Sequence, residues 1–286
     1  TTLLNRLLTQ AGGVRYIVLV NDFGKLNIDA ALIRDHGGQT VTLANGCICC
    51  SIGDRLIGTL IELLAQPDPG DHILVEASGV GDPGRIADIA VIDRDLAPDG
   101  IVVLADAAEI RRQADDRYVG ETVRRQLASA DILMLNKTDL VTPEIERGLD
   151  DWLAATAPRA VRIAARWADV PAEVLLGHGE SAQSGQTGLP RWHDAQFRHA
   201  LVARDRPLHR QKFLKAIADL PDAVIRGKGF VCFTDSTAGH ELFQLVGRRW
   251  QLSRAPALPK PPGGCDIVFI GRPEMPDLEE KFTPVD

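Results

Sequence analysis

The sequence lacks any apolar run that approaches the length of a membrane-spanning helix, and it lacks a secretory signal. It also lacks a basic stripe, because 39 acidic residues outnumber 32 basic ones and the formal net charge is −7. A general nucleic-acid-binding protein needs clustered positive charge. We therefore expect neither a membrane nor a nucleic acid among its partners.

Cysteine is scarce and unevenly distributed. The chain has five cysteines, an odd number, and two of them, Cys232 and Cys265, stand alone. This distribution argues against a disulfide framework. It indicates a reducing, cytoplasmic environment in which the remaining cluster has a metal or redox use.

The cluster is the segment Gly46-Cys-Ile-Cys-Cys50, in which Cys47, Cys49 and Cys50 are candidate metal ligands. Thiolates select zinc, cobalt, nickel or copper(I) over magnesium and calcium. A straight strand would separate the adjacent Cys49 and Cys50, so we expect a bent backbone, which Gly46 allows. Three sulfurs leave a tetrahedral ion one ligand short, and such an open position suits transfer. The alternative is a buried cysteine-rich turn without metal.

The segment Asn136-Lys-Thr-Asp139 follows an apolar strand and has the pattern NKxD. The Asp139 carboxylate can accept hydrogen bonds from N1–H and the 2-amino group of guanine. The Asn136 amide faces the O6/N7 edge, and the Lys137 stem lies against the base. Adenine would leave the carboxylate unpaired, which costs several kcal/mol. The alternative is a helix N-terminus capped by Thr138 or Asp139.

The chain begins Thr-Thr-Leu-Leu-Asn, which is similar to the end of a phosphate-binding loop, G-x-x-x-x-G-K-[ST]. In that interpretation Thr1 is the Mg²⁺ ligand, and Thr2 caps a helix whose N-terminus faces the phosphates. We expect the glycines and the lysine of the loop to precede Thr1. The alternative is ordinary capping of a helix.

Three further residues are candidates for hydrolysis. Glu76 follows a strand and can hold a water on Mg²⁺ or orient the attacking water. Gly79 lets a backbone N–H approach the γ-phosphate without an intervening side chain. Asp22, at the end of an earlier strand, is a second candidate for the magnesium shell. The alternative for each carboxylate is a solvated loop position.

Apolar runs of strand length alternate with helical patterns in the first part of the chain. The runs are residues 16–20, 72–75, 101–104 and 131–135, and the helical patterns are residues 1–11, 27–35, 53–65, 84–91, 119–129 and 143–153. This alternation predicts an α/β domain, with a mostly parallel sheet and helices on both faces. Four candidate positions follow strands directly, where such sheets bind ligands, and they are Asp22, Cys47, Glu76 and Asn136.

The composition changes near residue 171, and the residues that follow are small, polar and typical of turns. Beyond it we predict a strand at residues 196–203, a helix at 207–218 and further strands ending at 266–270, typical of a smaller α+β domain. The predicted division is a nucleotide-binding domain at 1–175, a linker at 176–192, the α+β domain at 193–274 and a tail at 275–286.

With these residues in view, the chain resembles the CobW-type GTPases, relatives of the GTPases that aid nickel insertion into urease and hydrogenase. The motifs that carry the resemblance run nearly end to end, and they are Thr1–Asn5, Asn21–Gly24, Asn27–Asp29, Gly46–Cys50, Glu76–Pro83, Asn136–Asp139, Arg226–Phe230 and Phe269–Arg272. Three departures are the body of the phosphate-binding loop, which is absent from the sequence given, Lys25, where many members carry an acidic residue, and a linker with only His178 where a His-rich one is common.

The resemblance implies a P-loop GTPase domain with Mg²⁺, metal at the cysteine motif, and a C-terminal domain that helps to recognise clients. It implies a metallochaperone that delivers Zn²⁺, Co²⁺ or Ni²⁺ to a client metalloprotein, or to cobalamin or metal-insertion machinery. Hydrolysis of GTP to GDP and phosphate is expected to be slow without a partner. The metal, the client and the oligomeric state, including a homo-oligomer, stay open.

Two other functions fit the residues. One is a GTPase chaperone of a cofactor-dependent enzyme whose cysteines are structural. The other is a non-catalytic metal-binding interaction module. A thiol redox protein fits less well, because C-x-C-C lacks the C-x-x-C spacing.

Overall fold

The structure is a computed structural model of the 286-residue chain. It describes residues 2–10, 14–20, 39–42, 52–67, 70–77, 81–93, 96–176, 197–236, 239–254 and 264–283. The chain forms two compact units, the first comprising Thr1–Pro158 with Arg162–Ala172 and the second Arg159–Val161 with Glu173–Asp286.

The first unit contains a three-stranded parallel sheet. Its strands are β1 (Tyr16–Val20), β2 (Gln39–Thr42) and β3 (His72–Glu76), in the order β2-β1-β3. Val20 pairs with both Thr42 and Glu76, so the carboxyl ends of all three strands lie side by side. Ligands bind at such an edge in parallel sheets.

A second three-stranded sheet in this unit has the order β4-β5-β6. Its strands are β4 (Val102–Asp106), β5 (Ile132–Asn136) and β6 (Val161–Ala164). β4 and β5 are parallel, and Asp106 lies opposite Asn136 at their carboxyl ends. β5 is buried from Ile132 to Leu135, as expected for a strand covered on both faces.

Two helices of the first unit begin at start signals in the sequence. Asp82 and Thr142 cap them by accepting a hydrogen bond from a backbone N–H, and each is followed by proline at the first helical position. The described helices of this unit are α1 (Thr2–Thr9), α2 (Ile52–Leu64), α3 (Pro83–Ile92), α4 (Ile110–Ala114), α5 (Gly120–Ser129) and α6 (Pro143–Thr156). Leu56, Leu60 and Leu63 of α2 pack on β1 in one buried cluster.

The second unit is a five-stranded antiparallel sheet with the order β10-β9-β8-β11-β7. Its strands are β7 (Arg198–Arg204), β8 (Val224–Cys232), β9 (His240–Val246), β10 (Arg249–Arg254) and β11 (Cys265–Gly271), with the helices α7 (Ala172–Leu176) and α8 (Arg210–Ala218). Phe213 of α8 contacts Phe243 at 5.3 Å between ring centroids, within a core of aromatic side chains.

The segment after residue 274 differs from the predicted tail. Met275, Leu278 and Phe282 are at most 2% exposed and belong to the core of the second unit. Arg204 donates a hydrogen bond from Nε to the carbonyl of Phe282 at 2.8 Å. Apolar burial therefore holds these residues in the core of the second unit.

The described architecture agrees with the predicted fold class: parallel strands alternate with helices, and a smaller domain with an antiparallel sheet follows. The predicted helix at 27–35 and nearly all of the predicted linker at 176–192 lie outside the described residues. Among the described residues, none of the helices is long and apolar enough to span a bilayer.

Candidate functional site

The NKxD loop leaves β5 at its carboxyl end and turns sharply. Asn136 is the last residue of β5, and Lys137 adopts a left-handed conformation with φ 62° and ψ 35°. A short 3₁₀ helix, Thr138–Leu140, follows. Thr138 is buried and donates its hydroxyl to the carbonyl of Ala165, whereas Asp139 is exposed. The Asp139 carboxylate is thus accessible at the surface of the loop.

The Asn136 side chain is held by the backbone of a neighbouring turn. The N–H of Ala168 donates to Oδ1 of Asn136 at 2.8 Å. Because Oδ1 accepts this bond, the NH₂ group on the other branch of the amide is its donor side. Guanine offers acceptors at O6 and N7, whereas adenine places an amino group where guanine has O6. An amide held in this orientation can donate to O6 or N7 of guanine, as the sequence predicts.

The turn that holds Asn136 follows β6 and is strained. Trp167 and Ala168 have φ angles of 55° and 54°, although neither is glycine. Such conformations cost on the order of 1–3 kcal/mol each and persist only where surrounding contacts require them. Arg6 of α1 supplies two, donating from Nε to the Trp167 carbonyl at 2.7 Å and from Nη1 to Oδ1 of Asp169 at 2.8 Å.

Lys137 is paired with Asp106, the last residue of β4. The distance from Nζ to Oδ2 is 2.6 Å, and the N–H of Ala108 donates to the other carboxylate oxygen at 2.9 Å. Burial opposes ionisation of Asp106, but the bonds from Lys137 and Ala108 outweigh it and lower the pKa of the carboxyl. The same ion pair raises the pKa of Lys137. The lysine is therefore charged and oriented at the site.

The predicted hydrolytic residues are described only in part. Glu76 is the last residue of β3 and is half-buried, and Thr2 is the exposed first residue of α1. Their roles stay predictions. The other predicted ligands of nucleotide, magnesium and transition metal lie outside the described residues: Thr1, Asp22, Gly79, Cys47, Cys49 and Cys50.

The two isolated cysteines do not form a metal centre. Burial raises the pKa of Cys265 to about 11, so its thiol is protonated at neutral pH. Cys232 is half-buried and, like Cys265, free. Within the described ranges no group of three or more His, Cys, Asp or Glu residues is arranged to hold a metal ion.

The structure thus brings Asn136, Lys137 and Asp139 together, as their shared loop requires. Sequence analysis missed Arg6, Asp106 and the turn at residues 165–169. The N–H of Ala168 leaves no trace in a side-chain pattern. Asp106 is identified only by its register opposite Asn136. Arg6 is identified only by the approach of α1 to the turn after β6.

Two family models match the chain. The family described as "CobW/HypB/UreG, nucleotide-binding domain" matches residues 1–163, and the "Cobalamin synthesis protein cobW C-terminal domain" matches residues 197–283. Together they cover most of the chain.

Individual relatives match over comparable lengths. The zinc chaperone YjiA of Escherichia coli K12 is 30% identical over 98% of this chain and 92% of its own length. The zinc chaperone CobW of a Sinorhizobium species is 30% identical over 68% of this chain, which spans 64% of that relative. The crystal structure of Zn(II)-bound YjiA GTPase from E. coli matches 98% of this chain and 92% of its own, with 20% identity and a TM-score of 0.42. The chain belongs to the CobW/HypB/UreG family and carries the CobW C-terminal domain.

Proposed function

We propose that the protein is a GTP-binding, GTP-hydrolysing metallochaperone. It takes a divalent transition metal, Zn²⁺, Co²⁺ or Ni²⁺, at Cys47, Cys49 and Cys50. It then delivers the ion to a client metalloprotein or to a cofactor pathway. Nucleotide and metal act as a coupled pair in this proposal, each raising the affinity for the other.

One observation carries the choice of guanine. The Ala168 N–H donates to Oδ1 of Asn136, so the NH₂ group of this amide is the side that donates to the base. Three residues later, the exposed Asp139 carboxylate accepts hydrogen bonds from the base. Guanine matches both, with acceptors at O6 and N7 and donors at N1 and the 2-amino group. Adenine would oppose an amino group to the Asn136 amide and leave Asp139 without donors, which costs on the order of 10⁴-fold in affinity.

Hydrolysis of GTP is assigned to Glu76 at the end of β3, to Asp22 and Gly79, which follow β1 and β3 in the sequence, and to Thr1 before α1. Glu76 or Asp22 holds or orients a water, Thr1 ligates Mg²⁺, and the backbone N–H of Gly79 approaches the γ-phosphate. Magnesium neutralises charge on the phosphates when it is bound. Without a partner that completes the site, turnover is expected to be slow.

Two findings support the metal part of the proposal. Relatives that cover most of the chain are named zinc chaperones. In addition, β1, β2 and β3 end side by side, at Val20, Thr42 and Glu76. In the sequence, Asp22 follows the first of these ends, and the cysteine motif follows the second. The segment expected to respond to nucleotide and the segment that carries the thiols therefore follow neighbouring strand ends, which is the basis of the proposed coupling.

The test is calorimetry of the intact, reduced protein with GTP and Mg²⁺, with and without Zn²⁺. Reciprocal coupling predicts that Zn²⁺ tightens GTP binding by about 5- to 150-fold and that GTP tightens Zn²⁺ binding by the same factor. Replacing Cys47, Cys49 and Cys50 by alanine should abolish the metal effect and preserve GTP binding. Cys232→Ala, which removes a half-buried thiol outside the motif, is the matched control.

Each outcome is decisive. Equal GTP affinity with and without zinc would reject the coupled switch and favour a GTPase chaperone with structural cysteines. Metal binding without any nucleotide binding would favour a non-catalytic module. A competition series across Zn²⁺, Co²⁺ and Ni²⁺ on the same sample identifies the preferred ion.

A further inference from the structure

Arg6 joins α1 to the turn after β6, across 161 residues of sequence. Its Nε donates to the carbonyl oxygen of Trp167 at 2.7 Å, and its Nη1 donates to Oδ1 of Asp169 at 2.8 Å. The Arg6 side chain is 34% exposed. The charge pair with Asp169 is partly solvated and should contribute little by itself. The bond to the Trp167 carbonyl matters more, because it fixes the orientation of the Trp167–Ala168 peptide.

This effect follows from the planarity of one peptide unit. The carbonyl of Trp167 and the N–H of Ala168 belong to the same rigid plane and point in opposite directions. Arg6 binds the oxygen of this plane, and the hydrogen side donates to Oδ1 of Asn136 at 2.8 Å. A guanidinium that holds one end of the plane therefore fixes the direction of the other. Bonds in such a chain also strengthen one another.

The conformation of the turn makes this support necessary. Trp167 and Ala168 both have left-handed backbone angles, which L-residues adopt only when neighbouring contacts require it. Ala168 is fully buried, whereas Trp167 is 68% exposed. Without Arg6, the peptide between them can rotate toward an ordinary conformation. The N–H would then leave Asn136, and the amide would be free to reverse its donor and acceptor.

We propose that Arg6 is a positioning residue for base recognition: through the Trp167–Ala168 peptide it keeps the Asn136 amide in the orientation that selects guanine over adenine. The inference rests on the proposed guanine binding and adds a determinant of its specificity. It assigns a role to a residue on the helix expected to face the phosphates, so that α1 contributes to both ends of the nucleotide site.

Asn136 and Asp139 are expected to contact different edges of the base. Asn136 faces the O6/N7 edge, where guanine and hypoxanthine are alike and adenine differs. Asp139 faces N1 and the 2-amino group, where hypoxanthine lacks the amino group. Loss of Arg6 should therefore change the ratio of GDP to ADP affinity, and should leave the ratio of GDP to IDP affinity unchanged. Simple loss of stability would alter neither ratio in this way.

The experiment measures the affinities of the intact protein for GDP, IDP and ADP in Mg²⁺. We expect Arg6→Ala to reduce the ratio of GDP affinity to ADP affinity about tenfold, because it removes the contribution of roughly one oriented hydrogen bond. The GDP:IDP ratio should stay within about twofold. The double variant with Asn136→Ala should have the GDP:ADP ratio of Asn136→Ala alone, because both changes act on one interaction.

Arg15→Ala is the matched control. Arg15 also makes a two-pronged side-chain contact, donating to Oδ2 of Asp71 at 3.0 Å and to Oδ1 at 2.7 Å. It precedes β1, so it lies at the amino end of that strand, and its replacement should leave the GDP:ADP ratio at the wild-type value.

An unchanged GDP:ADP ratio in Arg6→Ala, with guanine still preferred by the wild type, would overturn the role of Arg6 alone. Independent losses that multiply in the double variant would also overturn it. A wild-type protein that does not distinguish GDP from ADP would overturn the proposed guanine binding, and the role of Arg6 with it.

Discussion

Lys137 and Asp106 form an ion pair across the carboxyl ends of β5 and β4, with 2.6 Å between Nζ and Oδ2. The two strands are paired in parallel, so that Asp106 lies directly opposite Asn136. The left-handed backbone of Lys137 turns its side chain back toward β4. Asp106 thereby holds the lysine stem that is expected to lie against the base.

Asp106→Asn should weaken GDP binding about three- to tenfold, because it removes the charge that orients the Lys137 stem. Asp139 should continue to set base specificity, so the GDP:IDP ratio should not change. Titration calorimetry of the wild type and Asp106→Asn with GDP and IDP measures these affinities. If the position of Lys137 does not depend on Asp106, the Asp106→Asn variant will bind GDP with wild-type affinity.

The same pair predicts a pH dependence of stability. Hydrogen bonds lower the pKa of Asp106 in the folded protein below its ordinary value of 3.8. A lowered carboxyl pKa contributes stability above the unfolded value, and that contribution is lost as the pH falls through the folded value. The difference in free energy of unfolding between the wild type and Asp106→Asn should be constant above about pH 5 and shrink below 3.8. Denaturant melts from pH 2 to 7 measure it. A difference that persists at the acid end would contradict this assignment.

Asp139→Asn should convert guanine preference into xanthine preference. An amide in place of the carboxylate can accept from N1–H and donate to the 2-oxo group of xanthine, but it meets the 2-amino group of guanine with a donor. The loss for GDP and the gain for XDP should each be at least about tenfold. Because Asp139 is exposed, the variant should have nearly the same free energy of unfolding as the wild type. Equal loss of both nucleotides would contradict base contact by Asp139.

Phe282→Ala should destabilise the second unit by about 3–5 kcal/mol, the usual cost of emptying a buried aromatic site. Phe282 is 2% exposed, and its ring stacks on Phe269 with 5.5 Å between centroids. Leu201→Ala in the same sheet is the control, since that side chain is 51% exposed and should matter little. Chemical denaturation monitored by circular dichroism compares the two. Equal effects would show that the segment after residue 274 is not part of the core.

Two glycines make a second matched pair. A Cβ on Gly229 of β8 would stand 2.0 Å from the carbonyl oxygen of Asp266, so Gly229→Ala must push β11 away and should cost about 1–3 kcal/mol. A Cβ on Gly148 of α6 would meet nothing within 4 Å. Gly148→Ala should therefore stabilise the first unit by about 0.5–1 kcal/mol through helix propensity. Melting temperatures of the two variants should move in opposite directions.

Much of the fold could be predicted because local patterns agree with the tertiary environment. The run Tyr16–Val20 is a strand with those bounds, and the helix predicted at 143–153 extends over Pro143–Thr156 behind the Thr142 cap. β6 escaped prediction because its four residues alternate buried and partly exposed positions over too short a length. The buried segment after residue 274 escaped because its apolar residues are separated by proline and acidic residues typical of an exposed end.

The sequence by itself determined the alternation of strands and helices, the NKxD loop at the end of one strand and the cluster of thiols after another. These depend on residue type and spacing, which act over a few neighbours. Only the tertiary structure decided that Asp106 holds Lys137 and that Arg6 holds the peptide that orients Asn136. Those contacts join residues 31 to 161 positions apart, one of them through a backbone N–H that every residue except proline carries.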